Sequence, residues 1–150
     1  MTVFLVRHAK AGSREGWERP DRERPLSKSG RRQAEGLVTL FGRDPVTRVM
    51  SSPYARCMQT VEPVAAARGL KVEPDRRLAE GAGPEAALDL ITATDGAVLC
   101  SHADVVAAVV MTLADRGTPL RPGPAWDKGS TWALEVSGGR VVSGRYLPPP

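Results

Sequence analysis

The chain has 150 residues, 41% hydrophobic and 25% charged, which suits a soluble domain with a real core. Its formal charge of +4 favours an anionic ligand. The basic residues are interleaved with acids, as in Arg14-Glu15, Glu18-Arg19 and Asp21-Arg22-Glu23-Arg24, which argues against a nucleic-acid arm. Cys57 and Cys100 make no disulfide framework, and no leader pattern or membrane-length apolar run is present, so a cytoplasmic protein is expected.

Thr2 to Arg7 reads as a first buried strand, short and β-branched. Residues 8 to 28 are polar, carry Pro20 and Pro25, and form a long loop of the kind that often serves function. Ser27 caps a helix over about 29 to 42, with Ala34, Leu37, Val38 and Phe41 on one face and Gly42 at its end. Val46 to Ser51 is a second strand. Ser52-Pro53 then reads as the start of a helix, with serine as cap. Leu70 to Val72 is a short strand, and Pro84 to Thr94 a proline-started helix. Ala97 to Cys100 is another apolar strand, followed by an apolar helix from Ala103 to Ala114. After a Pro/Gly-rich connection at 118 to 124, Thr131–Val136 and Arg140–Tyr146 alternate around Ser137-Gly138-Gly139, a terminal hairpin. The final three prolines read as a frayed tail. Strands alternating with helices predict a three-layer α/β/α sandwich with a mostly parallel central sheet, in one domain spanning 1–150.

In such sheets ligands gather at the carboxyl ends of strands. Three predicted strands end there in related chemistry. The first ends at Arg7-His8. The second ends at Ser51-Ser52, with Arg56 one turn into the next helix. The third ends at Ser101-His102. Any one of these residues has a bland reading, a satisfied local hydrogen bond. The only two histidines of the chain together with two arginines, all at equivalent strand ends, point to a shared anion site. Arginine grips phosphate oxygens with a planar fork of donors. A neutral imidazole can attack phosphorus and form a covalent intermediate. Phosphoryl transfer needs mainly in-line positioning and charge neutralisation, which arginines supply.

Four blocks carry a family resemblance: Leu5-Val6-Arg7-His8-Ala9-Lys10, Arg24-Pro25-Leu26-Ser27-Lys28-Ser29-Gly30, Ser51-Ser52-Pro53-Tyr54-Ala55-Arg56-Cys57-Met58-Gln59-Thr60, and Cys100-Ser101-His102. On these the chain resembles the histidine phosphatase superfamily, with its phosphoglycerate mutase-like fold, in the small SixA-like phosphohistidine phosphatase branch. Arg-His-Ala-Lys-Ala-Gly and Lys128-Gly129-Ser130-Thr131-Trp132 are also similar to the phosphatase domain fused to some bacterial Nudix hydrolases. The resemblance implies that His8 is the nucleophile and that Arg7, Arg56 and His102 bind the phosphoryl group. It implies no cofactor and no metal. Glu80 lies where the family's general acid often sits; its bland reading is a surface turn residue. Asp21 is a weaker substitute, and Glu62 falls on a helix surface. The chain departs from the family's first motif in having Ala9 where glycine is usual.

Other signals do not hold in context. Gly81-Ala82-Gly83-Pro84-Glu85-Ala86 follows Arg76-Arg77-Leu78 and no apolar strand, so a dinucleotide fingerprint is rejected. Neither cysteine has an arginine six residues on, as a cysteine phosphatase needs; Pro63 and Val106 stand there, and both cysteines read as core. A cation at His8, His102 and Asp104 would be opposed by guanidinium charge. Trp17 and Trp126 fall in loops and read as packing before pocket lining. The expected function is hydrolysis of phosphomonoesters or protein phosphohistidine. The alternatives are mutase-type phosphoryl transfer and a non-catalytic phosphate- or phosphoprotein-binding module. Expected partners are a small phosphorylated substrate or a phosphohistidine protein, with no nucleic acid and no membrane, on a monomer.

Overall fold

A computed structural model describes residues 1–150. Seven strands form one sheet in the order β3-β2-β4-β1-β6-β7-β5. They are β1 (Thr2–Arg7), β2 (Arg48–Ser51), β3 (Val72–Pro74), β4 (Ala97–Ser101), β5 (Leu120–Arg121), β6 (Thr131–Ser137) and β7 (Arg140–Leu147). Strands β3, β2, β4 and β1 run parallel, β6 is antiparallel to both its neighbours, and β5 is parallel to β7. Four helices cover the two faces: α1 (Lys28–Phe41), α2 (Ala55–Ala67), α3 (Pro84–Ala93) and α4 (Ala103–Asp115).

The pleat explains the two cores. Successive strand residues face opposite sides of a sheet. Val3, Leu5, Ala97 and Leu99 pack with Leu90 and Ile91 of α3 and Val105, Val106 and Val109 of α4. Phe4, Val6, Val98 and Cys100 pack with Leu37 and Phe41 of α1 and Val61 and Val64 of α2. Central strands apolar on both faces need helices on both sides, which is the three-layer sandwich expected from the sequence. Burying each such large side chain contributes about 1.5–3 kcal/mol.

Ser27 caps α1 as its position predicts, its hydroxyl accepting from Gly30 N at 3.1 Å. The terminal hairpin closes on Gly138-Gly139, whose φ values of 61° and 74° suit a two-residue turn open to glycine.

Four expectations need correction. Helix α2 begins at Ala55, and Ser52 is not its cap. The Ser52 amide instead continues the sheet ladder to Cys100 O at 2.9 Å, and its hydroxyl is committed to His102. Leu70 belongs to the end of α2: after Gly69 at φ 66°, its amide reaches back to Ala65 O at 2.9 Å, closing a Schellman turn. The strand therefore starts at Val72. The connection at 118 to 124 holds β5, which its flanking prolines had disguised. Finally, the proline tail is not frayed at its end, since Pro150 sits against Gly36 of α1.

Gly30 marks where α1 meets the first loop. A methyl group there would strike the Lys10 carbonyl, with the carbonyl carbon only 2.9 Å away. Gly30→Ala must therefore shift backbone two residues from His8, not a flexible side chain. The expected result is destabilisation of about 1–3 kcal/mol by denaturant unfolding, together with lost turnover. Unchanged stability and activity would show that the loop and helix are not locked together.

Candidate active site

The register of the parallel strands assembles the site. Arg7 pairs with Ser101 across β1 and β4, and Ser51 pairs with Cys100 across β2 and β4. The His8 amide donates to Ser101 O at 3.0 Å, so His8 and His102 leave adjacent strands side by side. Their ring centroids lie 5.6 Å apart at 70°. Arg7, His8, Arg56 and His102 line one cavity of about 400 Å³ at the carboxyl edge of the sheet. Glu80 lines it too, so the structure brings together all five residues singled out in the sequence.

His8 is held in a defined protonation geometry. Its Nδ1 lies 2.7 Å from the Ala9 carbonyl, and a carbonyl only accepts. Nδ1 therefore carries the hydrogen and Nε2 keeps its lone pair. Burial lowers the His8 pKa to about 4; the Ala9 carbonyl opposes this, while His102, Arg56 and Arg7 add to it. The ring is neutral near pH 7.

The cationic frame is fixed from behind. Arg7 Nη1 donates to Trp126 O at 2.8 Å, while its buried Nε has no protein partner. The guanidinium of Arg56, 1% exposed, donates to the backbone O and the Oδ2 of Asp21, each at 3.0 Å. It also lies 5.0 Å from the centre of the Tyr54 ring. Tyr54 in turn meets His102 edge-on at 4.6 Å. Buried His102 has Ser52 Oγ at 2.8 Å from Nε2 and Cys57 Sγ at 3.5 Å, whereas its Nδ1 is unpartnered. Two buried donor-capable groups without partners, on the walls of a cationic cavity, fit an oxyanion.

The carboxylates separate by environment. Both Asp21 oxygens are engaged, by Arg24 Nε at 3.1 Å and Arg56 Nη2 at 3.0 Å. Partial burial pushes the Asp21 carboxyl up, but the two guanidiniums outweigh it and hold it below the usual range. Asp21 does not line the cavity of His8, and Glu80 is the one acidic residue that does. Glu80 sits 3.7 Å from Arg56. Its loop is pinned by Ser101 Oγ to Leu78 O at 2.6 Å and by Gly81 N to Asp104 Oδ2 at 2.7 Å. Asp104 thus secures the acid loop from the start of α4. Glu62 is exposed on α2, as expected.

Several supporting residues carried no strong sequence signal. Thr60 Oγ1 accepts from Ala9 N at 3.0 Å and donates to Arg56 O at 2.6 Å, linking nucleophile and arginine. Gln33 Oε1 accepts from Lys10 N at 3.0 Å while its Nε2 donates to Lys128 O at 3.3 Å. Arg24 is buried, with Nη1 on Gly12 O at 2.6 Å, and stands in the cavity wall with Arg14 and Lys128. Thr60 and Arg24 lie within the quoted sequence blocks; what singles them out is contact across the fold.

Comparison with known proteins agrees with this architecture. The family model for the histidine phosphatase superfamily (branch 1) matches residues 3–87. A curated protein of Mycolicibacterium smegmatis, named 8-oxo-(d)GTP phosphatase, is 34% identical over 99% of this chain. The aligned region covers 48% of that protein, so the chain spans about half the length of this relative. The protein histidine phosphatase SixA, solved with tungstate, superposes with a TM-score of 0.75 at 20% identity, covering 99% of this chain and 95% of that one. The SixA-like chain of Agrobacterium tumefaciens gives 0.76 at 23% identity over 99% and 98%. Both share the fold. A family match across more than half the residues, on a chain whose two histidines and two arginines meet at one sheet edge, makes this protein a member of the histidine phosphatase superfamily.

Proposed function

We propose that the chain is a phosphatase that works through a phosphohistidine on His8. The observation that carries this reading is the Nδ1 contact to the Ala9 carbonyl, which leaves Nε2 unprotonated inside a cavity walled by four guanidiniums, those of Arg7, Arg14, Arg24 and Arg56. In the first step Nε2 attacks phosphorus in line. The P–N bond to His8 forms as the bond to the leaving group breaks, a P–O bond in an ester or anhydride and the substrate's own P–N bond in a phosphohistidine. Arg7, Arg56 and His102 hold the equatorial oxygens and neutralise their charge. The Glu80 carboxyl gives its proton to the departing oxygen. The phosphorylated ring keeps its Nδ1 hydrogen bond to Ala9. In the second step water attacks phosphorus, Glu80 takes the proton back, and the P–N bond breaks. The same arginines oppose a divalent cation, so the reaction is assigned without one.

Substrates of this reading are phosphomonoesters or protein phosphohistidine. The curated relative is named for a nucleotide, whose terminal phosphoryl group is carried on an anhydride oxygen, and this supports a small phosphorylated substrate. Mutase chemistry would need the departing product to stay and turn over within the site, and hydrolysis needs only water to reach phosphorus.

His8→Ala should abolish release of phosphate from p-nitrophenyl phosphate, measured with chelator present. A rapid quench of wild type should trap label that is acid-labile and base-stable. An active His8→Ala protein sinks the mechanism.

The pH dependence follows from the lowered His8 pKa. Above it the ring is neutral and nucleophilic; below it protonation blocks attack. The acid limb of kcat/KM should therefore fall near pH 4 instead of near the ordinary histidine value of about 6.5. The unfolded chain takes up this proton at higher pH than the folded one. His8 thus contributes stability that is full above about pH 6.5 and lost as pH falls toward 4. A limb at ordinary histidine pH would contradict the buried neutral ring.

Glu80→Gln should slow an alkyl phosphate by about a hundredfold or more and a substrate with an acidic leaving group far less. Equal loss on both would remove Glu80 from the role of acid.

A further inference from the structure

A second basin opens beside the first. It has a volume of about 400 Å³ and is lined by Arg14, Trp17, Arg19, Asp21 and Glu80. Arg14 and Glu80 also line the cavity of His8, so the two are continuous. The junction has a direction. In-line attack places the leaving oxygen opposite His8, and the residue assigned to protonate that oxygen is Glu80. On that reading the group bonded to phosphorus leaves past Glu80, toward this basin.

The lining says what fits there. Trp17 supplies its only large apolar surface. The indole is held by its own loop: Nε1 donates to Pro20 O at 3.2 Å, and the Trp17 amide donates to Arg14 O at 3.1 Å. No aromatic ring or guanidinium of the chain stacks on it. A pre-fixed indole gives contact at low entropic cost. The arginines differ. Arg19 is paired with Glu23 at 2.8 Å, whereas Arg14 has no carboxylate within ion-pair distance. The basin thus offers one free guanidinium between the phosphoryl cavity and an aromatic face.

We propose that this basin is the leaving-group subsite and that it takes a nucleoside diphosphate. The terminal phosphoryl group lies at His8, the second phosphate on Arg14, and the base against Trp17. The proposal rests on the phosphatase reading and deepens it to a substrate class. A phosphohistidine protein would present an extended backbone and no obligatory second anion, so it matches the lining less well.

The test is a substrate panel of GDP, ribose 5-phosphate and acetyl phosphate with wild type, Trp17→Ala and Trp17→Phe. Trp17→Ala should raise KM for GDP about tenfold, the usual loss for a stacked base, with kcat nearly unchanged. Trp17→Phe should recover most of this. Acetyl phosphate, which has no base, should lose far less kcat/KM than GDP in the Trp17 variants. Arg14→Ala should weaken GDP more than GMP. Calorimetric binding of GDP to His8→Ala, with and without Trp17→Ala, reads the subsite without turnover and should show the same tenfold difference. Wild type that hydrolyses nothing overturns the phosphatase reading alone, because this binding difference still reports the basin. Equal GDP affinity with and without Trp17 overturns the subsite. A Trp17→Ala loss confined to a phosphohistidine-bearing protein, with GDP untouched, assigns the basin to polypeptide and overturns the proposal.

Discussion

Strand β4 is the constraint on which the site depends. It is buried on both faces and pairs in parallel with β1 on one side and β2 on the other. Parallel pairing makes the ends of the strands coincide, and the chain places a polar pair at each end. Because Ser101 O accepts the His8 amide and Cys100 O accepts the Ser52 amide, one ladder sets the spacing of nucleophile, second histidine and serine together. A one-residue slip would turn His8 toward the other face and break the cavity.

Behind this edge, the long first loop works as a brace. Its two arms are pinched together where Gly12 N donates to Pro25 O at 3.0 Å and Ser27 N to Lys10 O at 3.0 Å. The tip then returns Asp21 to Arg56. An exposed ion pair of this kind contributes little to stability, but here one partner is fully buried. The carboxylate and carbonyl of Asp21 take up donors on one side of the guanidinium and so orient the rest of it. The buried arginine is thereby satisfied without consuming the whole fork.

Much of this was legible in the sequence because it was periodic or local. Strand β1, the Ser27 cap, the apolar helix α4 and the Gly-Gly hairpin each announced themselves within a few residues. So did the convergence of Arg7, His8, Arg56 and His102, since parallel topology alone brings strand ends together. What was hidden depended on partners distant in the chain. Ser52 looks like a helix cap, and only the fold shows His102 competing for its hydroxyl. Leu70 looks like strand, until the Schellman turn claims its amide. Glu80 and Asp21 both approach Arg56, and only the fold shows that Asp21 has both oxygens engaged by arginines while Glu80 lines the cavity of His8. Trp17 reads as packing, and its place in the basin lining depends on where the loop tip comes to rest.

The two borders of the sheet are short and interrupted. At one side β3 has three residues and ends in Pro74; at the other β5 has two, flanked by Pro119 and Pro122. Proline has no amide hydrogen to offer, so neither border presents an unbroken row of donors to a foreign strand. A fold whose central strands are rich in valine and leucine thus resists growing sideways into aggregates, and its strongly β-forming middle stays enclosed.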